Sequence, residues 1–125
     1  MRRITISVAL TSIILGIGSG CLSGCRRPGQ GEKAEAGYKN ARPIIAALKQ
    51  YHDKHDQYPL RLRDLVPNEL EASAWKTPDG RPVDEFFEYH RSGVGYQLQF
   101  SYTGPGMNFC VYTPEGGEWQ CVGHY

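Results

Sequence analysis

The side chains with reactive potential in this 125-residue chain are four cysteines, four histidines and one short run of mixed charge. Cys110 and Cys121 flank the turn signal Pro114-Glu115-Gly116-Gly117. A two-residue loop at Glu115 and Gly116 sets the two cysteines opposite each other across a hairpin, where a disulfide can close. Zinc would need further ligands, because no Cys-x2-Cys spacing accompanies them. His52-Asp53-Lys54-His55-Asp56 places two imidazoles three residues apart beside two carboxylates, a partial ligand set for a metal. The competing reading is a solvated helix end, with Lys54 and His55 held near the negative pole of the helix. His90 and His124 have no nucleophile beside them, and Ser73, Ser92 and Ser101 lack the Gly-x-Ser-x-Gly elbow. No glycine-rich phosphate loop follows a strand pattern. The expectation is therefore no catalytic residue, no metal, no cofactor and no enzyme.

The remaining cysteines, Cys21 and Cys25, lie at the end of the leader and just after it. Arg2 and Arg3 precede an apolar run from Ile4 to Gly18, and small residues follow, which is the layout of a secretory signal. The run falls short of the roughly 20 residues that cross a bilayer. Its end, Leu22-Ser23-Gly24-Cys25, resembles the lipobox of bacterial lipoprotein precursors. That resemblance implies cleavage before Cys25, a diacylglyceryl group on its thiol and acylation of the new amine. Gly18-Ser19-Gly20-Cys21 is a poorer match, lacking the large apolar residue at Leu22. Cleavage before Cys25 removes Cys21 and leaves Cys110 and Cys121 as one pair in an oxidising compartment; cleavage before Cys21 strands an odd thiol.

The expected organisation is a signal peptide over residues 1–24, a lipidated start and flexible tether over 25–35, and one domain over 36–125. About 100 residues hold one core and not two. Loss of Arg2 and Arg3 takes the basic residues from 14 to 12 against 13 acidic ones, so no charge excess or basic block favours nucleic acid.

Within the domain, Ala41, Ile44, Ile45, Leu48 and Tyr51 recur at helical steps, with Lys49, Gln50, His52 and Asp53 opposite. They predict a helix from about Ala34 to Lys54, which Pro43 either kinks or starts late, near Asn40. Asp56-Gln57-Tyr58-Pro59 ends it. Leu60, Leu62, Leu65 and Val66 suggest a compact apolar turn of helix closed by Pro67. Beyond Trp75, turn chemistry at Pro78-Asp79-Gly80, Ser92-Gly93, Gly104-Pro105-Gly106 and Glu115-Gly116-Gly117 leaves room for four short strands. Tyr96, Leu98, Phe100 and Tyr102 alternate with Gln97, Gln99, Ser101 and Thr103, giving one apolar and one wet face. The expected class is α+β: an N-terminal amphipathic helix packed on a small antiparallel meander.

The run Ile44–Leu48, Tyr51, Tyr58-Pro59, Leu62, Leu65, Val66 and Pro67 resembles the globular head of type II secretion major pseudopilins and type IV pilin-like proteins. Lys76-Thr77-Pro78-Asp79-Gly80-Arg81-Pro82 stands where that family turns into its first strand, and the likeness covers roughly Ala34 to Tyr125. It implies a pilin-like head. The family's N-terminal features are missing: Arg26-Arg27-Pro28-Gly29 follows Cys25 in place of a continuous apolar helix, and Thr113-Pro114-Glu115-Gly116 replaces the aspartates of the calcium loop.

Together these readings describe a noncatalytic envelope protein, anchored through lipid on Cys25 and acting on an envelope protein partner, within reach of an export or pilus-like apparatus. In a cell with two membranes, Arg26 favours the periplasmic side of the outer membrane by resemblance to lipoprotein sorting rules. The alternative is a glycan or small-ligand binder using Tyr89, Tyr96, Tyr102, Tyr112, Trp119 and Tyr125, and a metal-dependent enzyme is a distant third.

Overall fold

The computed structural model describes residues 27–124; the leader, the lipobox with Cys25, and Tyr125 lie outside the described residues. The domain is α+β. A long helix α1, Glu32–His55, leads through two short 3-10 turns, Leu62–Leu65 and Ala72–Ala74, to a one-turn helix α2, Val83–Phe86. Four strands follow: β1 Glu88–Ser92, β2 Gly95–Thr103, β3 Met107–Tyr112 and β4 Trp119–His124. They pair antiparallel in sequence order, a meander with β2 and β3 inside.

The helix is longer at its N-terminal end than its apolar periodicity announces. Gly31, at φ 98°, precedes it, and Glu32 and Glu35 in its first turn face the positive pole of the helix dipole. The segment expected as tether thus ends in helix. Pro43 lies inside α1, so the helix does not restart at Asn40. The position tolerates proline because Pro43 and Lys39, whose carbonyl loses its N–H partner, both face solvent. At the other end Asp56 adopts a left-handed conformation, φ 57°, and its N–H closes on His52 O at 2.8 Å. A short polar side chain bears that geometry best after glycine.

Ala34, Gly37, Ala41, Ile44, Ala47 and Leu48 form the buried stripe of α1. It meets Tyr96, Leu98 and Phe100, the expected apolar face of β2, and Cys110 of β3. Phe100 occupies the centre, with the rings of Trp119, Tyr38, Phe86, Phe87 and Tyr102 at 5.1–6.2 Å from its own. It also touches the helix backbone: a Cβ built on Gly37 falls 2.2 Å from a Phe100 ring carbon. Glycine here is a packing requirement, since only a missing side chain lets ring and helix come together.

The Tyr58-Pro59 turn is tied to the first strand. Tyr89 donates its hydroxyl to Pro59 O at 2.7 Å, Arg91 donates to Tyr58 O at 3.1 Å, and the Tyr58 and Tyr96 rings meet edge-on at 4.8 Å. Leu62 and Leu65 enter the core from the first 3-10 turn. Leu60, expected beside them, is 66% exposed, because the helical turn starts two residues later. Pro78-Asp79-Gly80 does not join two strands of the sheet. It caps a small loop closed by a bridge between Lys76 and Pro82, and α2 occupies the stretch before β1.

The last hairpin has the expected register and a different loop. Cys110 pairs with Cys121 and Tyr112 with Trp119, symmetric about Glu115 and Gly116. Pairing stops there, leaving residues 113–118 as a six-residue loop. Pro114 has no N–H to close a tighter ladder. The Gly117 N–H bonds instead to Thr113 O at 3.0 Å, with Gly117 at φ 66°.

Two stability measurements follow. Gly37→Ala gains about 1 kcal/mol of helix propensity, but overpacking of about 1–3 kcal/mol wins against a buried ring. A net loss in urea melts is expected, and Gly37→Ala should cost less when made in a Phe100→Leu background than in the wild type; an equal or raised midpoint in Gly37→Ala refutes the notch. Burial raises the Tyr89 hydroxyl pKa well above its ordinary value. The unfolded chain therefore loses that proton from about pH 10 upward while the folded one keeps it, so stability falls as pH rises through this range. Tyr89→Phe should lose about 1 kcal/mol at neutral pH and flatten the decline between pH 9 and 11 in denaturant titrations; an unchanged alkaline slope counts against the assignment.

Candidate functional site

The residues that gather at one end of the domain are those around the chain's entry. Pro28 and Gly29 lie over β4: a Cβ on Gly123 would meet Pro28 Cγ at 2.9 Å, and one on Gly29 would meet Cys121 Sγ at 2.7 Å. Gly29, at φ 83°, is needed both for the turn and for this close approach. Its N–H donates to the Tyr102 hydroxyl at 2.8 Å, and its carbonyl accepts from the Tyr38 hydroxyl at 2.8 Å. The Tyr38 oxygen also sits 3.2 Å from Cys121 Sγ. Burial, with Tyr102 and Glu35 nearby, raises the Tyr38 pKa, so the hydroxyl stays a donor.

Cys110 and Cys121 are joined by a disulfide, their Cα atoms 4.1 Å apart. The register explains it: both point to the helix side, where Cys110 is fully buried. The hairpin staple and the entry segment are therefore one structure, with Tyr38 from α1 bridging them.

Beside this entry runs an open groove of about 700 Å³. Lys33, Ala36, Lys39 and Asn40 of α1 form one wall, the turn with Asp79 and Arg81 the other, and Phe86, Tyr102 and Met107 give it apolar surface. The cations are partly committed. Lys33 Nζ donates to Thr103 O at 2.5 Å; Arg81 Nε donates to Asp79 at 2.7 Å and its guanidinium lies 4.7 Å over the Phe86 ring. The Thr77 hydroxyl also donates to Asp79, and these hydrogen bonds, Thr77 first and then Arg81, lower the Asp79 pKa. Such an arrangement can hold an amphipathic anion.

The other sequence candidates are dispersed. His52 stacks on Tyr58 at 4.5 Å and His55 on Tyr51 at 4.2 Å, so the two imidazoles are drawn to different rings. His90 lies on β1 and His124 at the end of β4, 6.1 Å from the Phe109 ring. Among the described residues, no three His, Cys, Asp or Glu side chains come together for a metal. Tyr89, Tyr96, Tyr102, Tyr112 and Trp119 do not form an exposed aromatic surface. Strand alternation turns them to the helix side, where Tyr96 is 3% exposed and the Tyr112 and Trp119 rings pack at 5.4 Å. Among the described residues, no helix is long and apolar enough to cross a membrane.

Periodicity did not mark Gly29, Gly37, Lys33 or Arg81. The signal for Gly37 was present, since Ala34, Gly37 and Ala41 form a small-residue stripe at helical spacing, the pattern of a helix that approaches its neighbour closely. Lys33 and Arg81 are brought together by tertiary structure alone.

No family model, curated protein or solved structure matches this chain.

The staple closes a loop of about a dozen residues, worth about 3 kcal/mol by loop entropy. The double variant Cys110→Ala/Cys121→Ala should lose about that much in guanidinium melts. Alkylation of the native protein should find neither thiol, and full labelling of both would contradict the bond.

Proposed function

We propose that this chain is a bacterial lipoprotein whose domain is a noncatalytic interaction module, held at an envelope membrane through lipid on Cys25. The observation that carries the reading is the disposal of the cysteines. Cys110 and Cys121 are spent on each other, so cleavage within Leu22-Ser23-Gly24-Cys25 leaves Cys25 as the single thiol of the mature chain. The lipobox resemblance assigns lipid to that thiol, and two or three acyl chains anchor durably where one does not. Cleavage before Cys21 would commit that residue to lipid and strand Cys25 as an odd thiol.

The succession of long helix, Tyr-Pro turn, leucine-bearing 3-10 turn and terminal meander supports the pilin-like head as the finer description of the fold. An envelope protein partner, in an export or pilus-like apparatus, is the reading that goes with such a head. A second reading, a small-ligand binder, is favoured by the groove between Lys39 and Arg81.

Labelling with radioactive palmitate and membrane fractionation test the anchor. Wild type should carry label and sediment with membranes. Cys25→Ala should lose the label and leave the membrane fraction, whereas Cys21→Ala should behave as wild type. Label and fractionation unchanged in Cys25→Ala would sink the reading.

A further inference from the structure

We propose that the end of the domain bearing Pro28, Lys33, Pro105, Met107 and His124 rests directly on the headgroups of the membrane that holds Cys25, fixing the orientation of the module; this rests on the lipid anchor proposed above.

The argument is one of reach. Only Arg26 and Arg27 separate Cys25 from Pro28, and the three extended steps between them span at most about 11 Å. Lipid on the Cys25 thiol keeps that residue at the bilayer surface, whose polar layer is itself roughly 5–8 Å thick on each side. Pro28 and Gly29 cannot swing away from the domain to lengthen this link. Gly29 is held by hydrogen bonds to Tyr102 and Tyr38, and Pro28 lies against Gly123. The tether is thus too short to lift the domain clear of the headgroups.

The surface brought down is defined by the sheet register. Thr103 pairs with Met107 and Met107 with His124, so the end of β2, the start of β3 and the end of β4 coincide. Lys33 reaches across to Thr103 O, and Asn108 donates to Pro105 O at 3.1 Å, shaping the exposed turn before Met107. Met107 is 52% exposed, an unbranched apolar side chain standing out of a hairpin tip. Arg27 and Lys33 are exposed at this end, as are Glu32 and Glu35. Charge is therefore mixed there, and the seating is imposed by the anchor and the apolar tip. A bilayer suits Met107, since its thioether side chain is buried there without any loss of hydrogen bonds. The opposite end is far away: β2 runs nine residues, about 27 Å, from Thr103 back to Gly95, beside which Val94 is 91% exposed.

The test uses the full-length, processed protein in vesicles of phosphatidylethanolamine and phosphatidylglycerol. Single cysteines at two exposed sites, Met107→Cys and Val94→Cys, take an environment-sensitive fluorophore, and lipids carrying a headgroup-level nitroxide act as quencher. Position 107 should lose most of its emission and position 94 almost none. Inserting a flexible Gly-Ser stretch between Arg27 and Pro28 should restore emission at 107. Equal quenching at both sites, or none at 107 on protein whose mass shows the lipid on Cys25, overturns the seating alone. Shielding of 107 from water without quenching assigns this end to a protein partner and also overturns it. Absence of the lipid by mass overturns the anchor and the seating together.

Discussion

The contact between the Phe100 ring and the backbone of Gly37 sets the distance between the two layers of this domain, and the other contacts inherit it. A helix bearing an ordinary side chain at position 37 would stand off the sheet by the thickness of a methyl group. At the observed separation Phe100 is closed in by Tyr38, Phe86, Phe87, Tyr102 and Trp119. Tyr38, next along the helix, is then close enough to β4 for its hydroxyl to reach both Gly29 and Cys121. One missing side chain in α1 thus permits the central ring cluster and the attachment of the chain's entry. Small domains of this size bury little surface, so a contact that organises so many rings carries an unusual share of stability.

The disulfide gains a second role from that arrangement. By itself it fixes the β3–β4 hairpin, whose long loop with Pro114 provides little pairing of its own. Its sulfur is also the floor on which Gly29 lies. The staple therefore supports the position at which the chain enters the domain, in addition to joining two strands. The edge strand β4 is covered on its inner side by Pro28 and Gly29, while on its outer side Val122 remains 58% exposed.

The fold class was legible because two periods are written clearly: Ala41, Ile44, Leu48 and Tyr51 at helical steps, and Tyr96, Leu98, Phe100 and Tyr102 at every second residue. The disulfide was legible for a related reason, since hairpin symmetry about Glu115 and Gly116 survives any change in loop length. What periodicity could not convey was distance. It does not separate a glycine that admits a ring, Gly37, from one in open space, Gly80. It also marked Tyr112 and Trp119 only as aromatic, and strand parity, counted from Cys110, turns them inward. The groove was illegible for the same reason, because Lys33, Lys39 and Arg81 become neighbours only after residues 77–81 fold against α1.

The geometry at the start of α1 decides how the chain enters the domain. Here Gly31, at φ 98°, and Gly29, at φ 83°, turn the backbone off the helix axis and lay it across β4. Left-handed and extended glycine conformations cannot propagate a right-handed helix. The hydrogen bonds from Gly29 to Tyr102 and from Tyr38 to Gly29 hold that deflection in place. Apolar substitutions upstream alone cannot extend α1 through this turn, because the deflection is built into the packing of the domain. The anchor proposed at Cys25 is compatible with this exit, whereas a helix continued through residues 29–31 is not.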